Sequence, residues 1–140
     1  MAKGKVLVIG SNATRIEVRG GWGATGQYLN ETVVPAMALI AAGYEVVLAT
    51  PDGTKPHIDP VSDAAAHFEG DEAAWRRAQD FWANDPAMNR VRTLKSVVAE
   101  GLDFYAGLFV PGGQAPVVDL MQDADLGVIL AHFHAAAKPT

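Results

Sequence analysis

Cysteine is absent from the 140 residues of the sequence. The chain itself therefore has no disulfide, no thiolate metal site and no cysteine nucleophile. Basic residues are also few, since 11 Lys and Arg stand against 16 Asp and Glu and give a formal net charge of -5. Without a basic stripe we expect no nucleic-acid partner. No apolar run reaches membrane-spanning length, and residues 1–5 lead directly into a predicted strand, so we expect no membrane partner and a cytoplasmic location.

The residues that are present predict a single α/β domain over residues 1–140. Hydrophobic residues make up 49% of the chain, which is enough for one core. Three continuous apolar runs read as strands buried on both faces, which is typical of a mostly parallel sheet: residues 5–9, 44–50 and 105–110.

Helices are predicted between these strands. Leu29, Val33, Met37 and Ile40 have helical spacing, and Pro35 fits best if the regular helix begins near Thr32. Residues 63–90 form a helical excursion before the next strand. Residues 91–98 fit either a short helix or an edge strand, and either Asp123 or Asp125 can cap the last helix.

Glu31 is the first candidate functional residue. It follows a glycine-rich loop (Gly20, Gly21 and Gly23) after the first strand, and ligands bind at the carboxyl ends of strands in such sheets. Neighbouring Leu29, Val33 and Val34 predict a desolvated carboxylate, which favours its protonated form. Stabilisation by the helix dipole is the alternative, and spacing alone slightly favours it.

A second candidate is the turn at residues 111–114, with the sequence Pro-Gly-Gly-Gln. Its exposed backbone N–H groups at Gly112 and Gly113 are suitable for stabilising an oxyanion. Taken alone, the pattern favours a plain turn. We expect no metal site, because His132 and His134 point to different faces of a helix, and we interpret His57 and His67 as surface or structural residues.

Three segments together resemble the ThiJ/PfpI family of the class I glutamine amidotransferase-like superfamily: residues 31–46, 51–62 and 103–113. Asp59-Pro60-x-Ser62 and Gly23-x-Thr25-Gly26 look most like its glyoxalase III and heat-shock chaperone branch. The resemblance covers nearly the whole chain, but it extends only over the N-terminal portion of the family's domain.

The resemblance implies a flavodoxin-like three-layer sandwich with a cofactor-independent site built around a cysteine. It implies that Glu31 contacts that cysteine as a general acid/base, and that Gly112 and Gly113 support an oxyanion. Trp22, Tyr28 and Gln114 are weaker candidates for the substrate pocket. The implied reaction converts a small α-oxoaldehyde such as methylglyoxal to a hydroxy acid, and it favours the functional interpretation of Glu31.

Two departures from the family pattern affect these expectations. Gln114 stands where the heat-shock branch usually has a histidine, and an amide cannot titrate. The nucleophile is also missing, because residues 138–140 match the strand that should run into the cysteine turn. We therefore expect a C-terminal chain, cleaved or separately encoded, to supply the cysteine and complete the sheet, and we expect the completed domain to form a homo-oligomer.

Two other functions remain open from the sequence. One is a cysteine-dependent hydrolase, hydratase or amidase, because fold does not fix chemistry. The other is a stress chaperone or redox sensor, with the aromatic residues between Trp75 and Trp82 as an exposed client surface.

Overall fold

A computed structural model describes residues 2–140, and its centre is a four-stranded parallel sheet. The strands of this sheet are β1 (Lys5–Ile9), β4 (Glu45–Thr50), β5 (Arg92–Thr93) and β6 (Tyr105–Phe109), in the order β5-β4-β1-β6. The helices are α1 (Leu29–Ala41), α2 (Glu72–Asn84), α3 (Pro86–Asn89), α4 (Leu94–Glu100), α5 (Ala115–Asp119) and α6 (Ala124–Ala135). The predicted α/β class, a flavodoxin-like arrangement of helices around a parallel sheet, is confirmed.

The core occupies both faces of the sheet because alternate residues of β1 point in opposite directions. Leu7 and Ile9 pack in a cluster that includes Phe133 of α6 and Val97 of α4. Val8 packs on the other face in a cluster with Ala36 of α1 and Met88 of α3. These buried contacts produce three layers, with the sheet in the middle.

The order of the strands places a topological switch point beside β1. Val8 pairs with Leu48 of β4 on one side and with Phe109 of β6 on the other. The chain therefore continues from β1 to β4 on one side, and later returns to place β6 on the other side of β1. In sheets of this kind, ligands bind outside the carboxyl ends of the two strands where the direction changes, which are β1 and β6 here.

The first helix begins earlier than predicted. It starts at Leu29 and not near Thr32, so Pro35 lies inside the helix. Proline has no N–H to donate to the carbonyl four residues before it, which is that of Glu31. The prediction was wrong because a residue distant in sequence, Ser62, accepts the hydrogen bond of the first N–H of the helix, that of Leu29.

The glycine-rich loop after β1 is a hairpin. Strands β2 (Arg15–Val18) and β3 (Gly21–Ala24) pair antiparallel and place Glu17 opposite Trp22. The tight turn needs glycine, since Gly20 and Gly21 both have positive φ. Residues 15–18 alternate polar and apolar side chains, which is typical of a strand. The sequence analysis treated them as part of a loop because of the glycines that follow.

The helical excursion is a pair of 3-10 turns (Pro60–Ser62 and Ala65–Phe68) followed by α2 and α3. Its aromatic residues do not form the exposed surface that a chaperone function was expected to use. Trp75 and Trp82 are half-buried and pack against Leu29 and Val33 of α1, and the Trp75 indole N–H donates to Asp63 at 2.7 Å. The amphipathic spacing of α2 is the reason, because its aromatic face closes over α1.

The remaining elements complete the sheet and the last helix. Residues 91–98 contain both predicted alternatives, the edge strand β5 and the beginning of α4. Asp123 is the residue that caps α6, accepting from the N–H of Leu126 at 2.8 Å. The tail after α6 lies along β6, where the N–H of Leu108 donates to the carbonyl of Pro139 at 3.0 Å. The backbone of β6 therefore bonds to the tail on the side away from β1.

Candidate functional site

The Glu31 carboxylate lies against the turn that follows β6. A Cβ atom at Gly112 would be 2.7 Å from Oε1 of Glu31. Only glycine leaves room for the carboxylate in this position, so the two candidate residues meet across the switch point. A carboxylate beside exposed backbone N–H groups provides an acid/base group next to a potential oxyanion support.

Tyr28 contacts the second glycine of the same turn. Cδ1 of Tyr28 is 3.5 Å from the position that a Cβ of Gly113 would take. Gly113 has a φ of 122°, a conformation that residues with side chains rarely adopt. The turn is therefore held between the Tyr28 ring and the Glu31 carboxylate.

The Asp59-Pro60-x-Ser62 motif positions the helix that carries Glu31. Ser62 is fully buried, and its Oγ accepts from the N–H of Leu29 at 2.9 Å while donating to the carbonyl of Asp59 at 2.8 Å. Asp59 Oδ1 in turn accepts from the N–H of Val61. Helix α1 thus donates its first N–H to a distant serine, which fixes the start of the helix two residues before Glu31.

Gln27 ties the same region to β1. Its buried side chain accepts from the N–H of Ser11 at 2.8 Å and donates to Oγ1 of Thr32 at 3.0 Å. Its backbone pairs with the segment at residues 57–59. A buried amide with these partners is a structural residue that orients the approach to Glu31.

Asp119 connects the other side of the site. Its carboxylate accepts from the Ser11 hydroxyl at 2.6 Å and from the N–H of Asn12 at 2.8 Å. Since Asp119 ends α5, these bonds hold the helix that follows Gly113 against the loop after β1. The loop after β1 thus bonds to both sides of the site, through Gln27 to the helix that carries Glu31 and through Asp119 to the helix that follows the turn.

Replacing Ser62 by alanine tests this scaffold. The change leaves the buried N–H of Leu29 without an acceptor, while the carbonyl of Asp59 keeps its bond from the backbone N–H of residue 62. We therefore expect a loss of roughly 1–3 kcal/mol in the free energy of unfolding. Urea denaturation measures the effect, and Val61→Ala at the exposed neighbouring position is the control. A Ser62→Ala variant as stable as the control would contradict the assigned role.

Three of the site residues expected from the sequence are exposed to solvent in this chain. Glu31 is exposed in this chain, contrary to the expected desolvation, because Leu29 and Val33 point into the core while Glu31 points to the turn. Gln114 is exposed beside the turn as the residue before α5. Trp22 is 61% exposed on the hairpin, where the guanidinium of Arg15 lies 4.7 Å from its ring centroid.

One residue that borders the site was given no function by the sequence analysis. His67, in the second 3-10 turn, contacts the Tyr28 ring edge-on, with centroids 5.4 Å apart. His67 and Glu31 both line an open cleft of about 570 Å³. No local signal identified His67, because its place depends on how the excursion folds back over α1.

Within residues 2–140, no group of three or more His, Asp or Glu side chains is arranged to hold a metal ion. None of the helices described is both long and apolar enough to cross a membrane.

The fold and the position of the site define an α/β protein of the flavodoxin-like type with a candidate site at the switch point between β1 and β6. Solved structures share this fold. Glyoxalase III from Candida albicans matches with a TM-score of 0.72 and 21% identity, over 96% of this chain and 54% of that one. Rapid Encystment Protein 24 KDa from Francisella tularensis matches with a TM-score of 0.74 and 20% identity, over 95% and 55% of the two chains.

A further crystal structure matches with a TM-score of 0.71 and 25% identity, over 99% of this chain and 54% of the other. The chain therefore shares the fold of these proteins, one of which is a glyoxalase III, in agreement with the branch that its motifs resemble. No protein-family model matches the chain, and no curated protein is significantly similar to it. The chain spans about half the length of the solved structures that it matches.

Proposed function

We propose that this chain is the N-terminal part of a cofactor-independent, cysteine-dependent enzyme that converts small α-oxoaldehydes to hydroxy acids, as in methylglyoxal to lactate. The observation that carries the proposal is the approach of the Glu31 carboxylate to Gly112 at the switch point. The shared fold with glyoxalase III of Candida albicans supports this choice of reaction.

The proposed chemistry uses Glu31 to move a proton between neighbouring carbons. A thiol from the completing polypeptide adds to the aldehyde carbon and forms a hemithioacetal. Glu31 removes the proton from that carbon and returns a proton to the adjacent one, so the ketone is reduced as the aldehyde carbon is oxidised to a thioester. Water then releases the hydroxy acid and the thiol. The N–H groups at Gly112 and Gly113 stabilise the developing oxyanion.

The nucleophile comes, in this proposal, from a C-terminal polypeptide that adds a strand beside β6. The hydrogen bond from the N–H of Leu108 to the carbonyl of Pro139 supports this, because it shows that backbone following α6 can bond to that edge of the sheet. Both sides of the edge are apolar. One groove of about 460 Å³ is lined by residues such as Leu39 and Phe109, and another of about 340 Å³ lies between α5 and α6.

Exposed apolar side chains around the second groove support the same conclusion. Val117, Met121 and Val128 are each more than half exposed. A contiguous apolar surface at an open sheet edge is typical of an interface or of an aggregation-prone surface.

The intact mass of every polypeptide in the purified protein, measured under denaturing conditions, tests this assembly. We expect a cysteine-bearing polypeptide together with residues 1–140, and methylglyoxal turnover only in samples that contain both. A folded, monodisperse monomer of residues 1–140 alone would contradict the proposed assembly. A complete assembly that leaves methylglyoxal unchanged and hydrolyses small amides would contradict the proposed reaction.

A further inference from the structure

The cleft beside Glu31 has a second wall that belongs to the excursion. Its volume is about 570 Å³, and His67 and Phe68 of the 3-10 turn face Glu31 and Val34 of α1 across it. Phe68 is buried and packs in the same cluster as Leu29 and Val33, so the turn is anchored to the helix that carries Glu31. The wall is therefore a fixed part of the site.

Tyr28 links His67 to the turn after β6. The planes of the His67 and Tyr28 rings are at 86°, with 5.4 Å between their centroids. The Tyr28 ring also lies beside Gly113, with Cδ1 at 3.5 Å from the position that a Cβ of Gly113 would take. His67 and Glu31 thus line the cleft, and Tyr28 connects His67 to the Gly112–Gly113 turn.

The polar groups of these side chains have no internal partners. Among the hydrogen bonds and ion pairs of residues 2–140, none involves the Glu31 carboxylate, the Tyr28 hydroxyl or the His67 ring. Nearby polar side chains behave differently: Ser62 and Asp59 bond to backbone groups, and Asp71 caps α2 through the N–H of Ala74 at 3.0 Å. Asn30 is an exception among the residues that line the cleft, because its buried Oδ1 has no partner within residues 2–140. The Glu31 carboxylate and the His67 ring at the cleft, and the Tyr28 hydroxyl, are therefore available to a ligand.

The charge of the cleft restricts that ligand. Glu31, Glu69 and Asp71 line it, and neither Lys nor Arg is among its lining residues. A substrate that carries a carboxylate meets repulsion on entering, whereas an uncharged carbonyl compound does not.

We propose that His67 is a specificity-determining residue of this site, binding the carbonyl or hydroxyl oxygen of an uncharged small oxo compound while the acidic cleft rejects α-oxo acids. This inference rests on the proposed function and names its substrate class. The imidazole suits the task because it can donate a hydrogen bond to an oxygen or accept one from a hydroxyl.

Hydroxyacetone and pyruvate are suitable probes, because they have similar size and differ in charge. We expect hydroxyacetone, titrated into the completed assembly, to shift the ring resonances of His67 and Tyr28, and to bind at least about fivefold tighter than pyruvate. His67→Phe keeps an aromatic contact with Tyr28 and removes both ring nitrogens, so it weakens hydroxyacetone binding about fivefold. His67→Gln, which retains hydrogen-bonding groups, recovers part of the loss.

His134→Asn is the matched control, because His134 is exposed in the last turn of α6, outside the cleft. Equal binding of the two probes, unchanged binding in His67→Phe, or no saturable binding of hydroxyacetone would overturn the inference. In the completed assembly, His67→Phe should raise KM for methylglyoxal about fivefold and leave kcat unchanged. An assembly without turnover whose His67 still binds hydroxyacetone would reject the proposed reaction and retain the site, whereas turnover with an unchanged KM would reject the inference alone.

Discussion

Glu31→Gln is expected to lower methylglyoxal turnover by the completed assembly at least about 100-fold, the contribution typical of a positioned acid or base. Glutamine has nearly the same shape, so it still fits beside Gly112, but it can neither remove nor return the proton. The Glu31 carboxylate makes no hydrogen bond or ion pair within residues 2–140. We therefore expect the free energy of unfolding to change by less than about 0.5 kcal/mol.

Steady-state kinetics and urea denaturation of the same samples measure the two effects. Glu45→Gln is the control, because Glu45 is also exposed and lies at the amino end of β4, at the opposite edge of the sheet from the site. Its ion pair with Lys5 is long, at 3.8 Å, and surface pairs of this kind contribute about 0–1 kcal/mol. Unchanged turnover in Glu31→Gln would exclude Glu31 from the mechanism.

The pairing of Glu31 with the Pro-Gly-Gly turn depends on features that the sequence displays directly. Residues 5–9 and 105–109 are continuous apolar runs, so their strands were predictable from composition. Each candidate follows the carboxyl end of one of these strands. In a parallel sheet those ends lie on the same edge, and only the neighbour relationship of β1 and β6 had to come from the family resemblance.

The beginning of α1 and the role of His67 could not be predicted in this way. The helix starts at Leu29 because Ser62, 33 residues away, accepts its first N–H. The sequence predicted a later start because proline is best accommodated in the first turn of a helix, but Pro35 lies inside this helix. His67 reaches Tyr28 only because Phe68 is buried against α1, which is a tertiary contact without a signal in the local pattern.

Gly26→Ala is expected to have the largest effect on stability. Gln27 pairs with residues 57–59 through two backbone hydrogen bonds of 2.8 Å, and this pairing brings Gly26 against the same segment. A Cβ atom at Gly26 would lie 2.6 Å from the nitrogen of Asp59 and 2.6 Å from the carbonyl oxygen of His57. These are backbone atoms that cannot rotate away, so the two segments must separate.

We expect Gly26→Ala to lose about 3 kcal/mol in the free energy of unfolding, the upper range for overpacked sites. Gly127→Ala is the control for the same chemical change. Nothing lies within 4 Å of a Cβ at Gly127, which is exposed inside α6, so this variant should gain about 0.5–1 kcal/mol through helix propensity. Urea denaturation measures both.

Gly112→Ala separates stability from the arrangement of the site. Its Cβ meets the end of the flexible Glu31 side chain, which can rotate away, so stability should change by less than about 0.5 kcal/mol while turnover falls. Equal stability of the Gly26 and Gly112 variants would contradict the assignment of the Gly26 contact as a backbone constraint. If the two variants differ in stability but lose turnover equally, both glycines are needed for the same site for different reasons. Gly26 is needed because it allows the backbone at residues 57–59 to approach, and Gly112 because it leaves room for the Glu31 carboxylate.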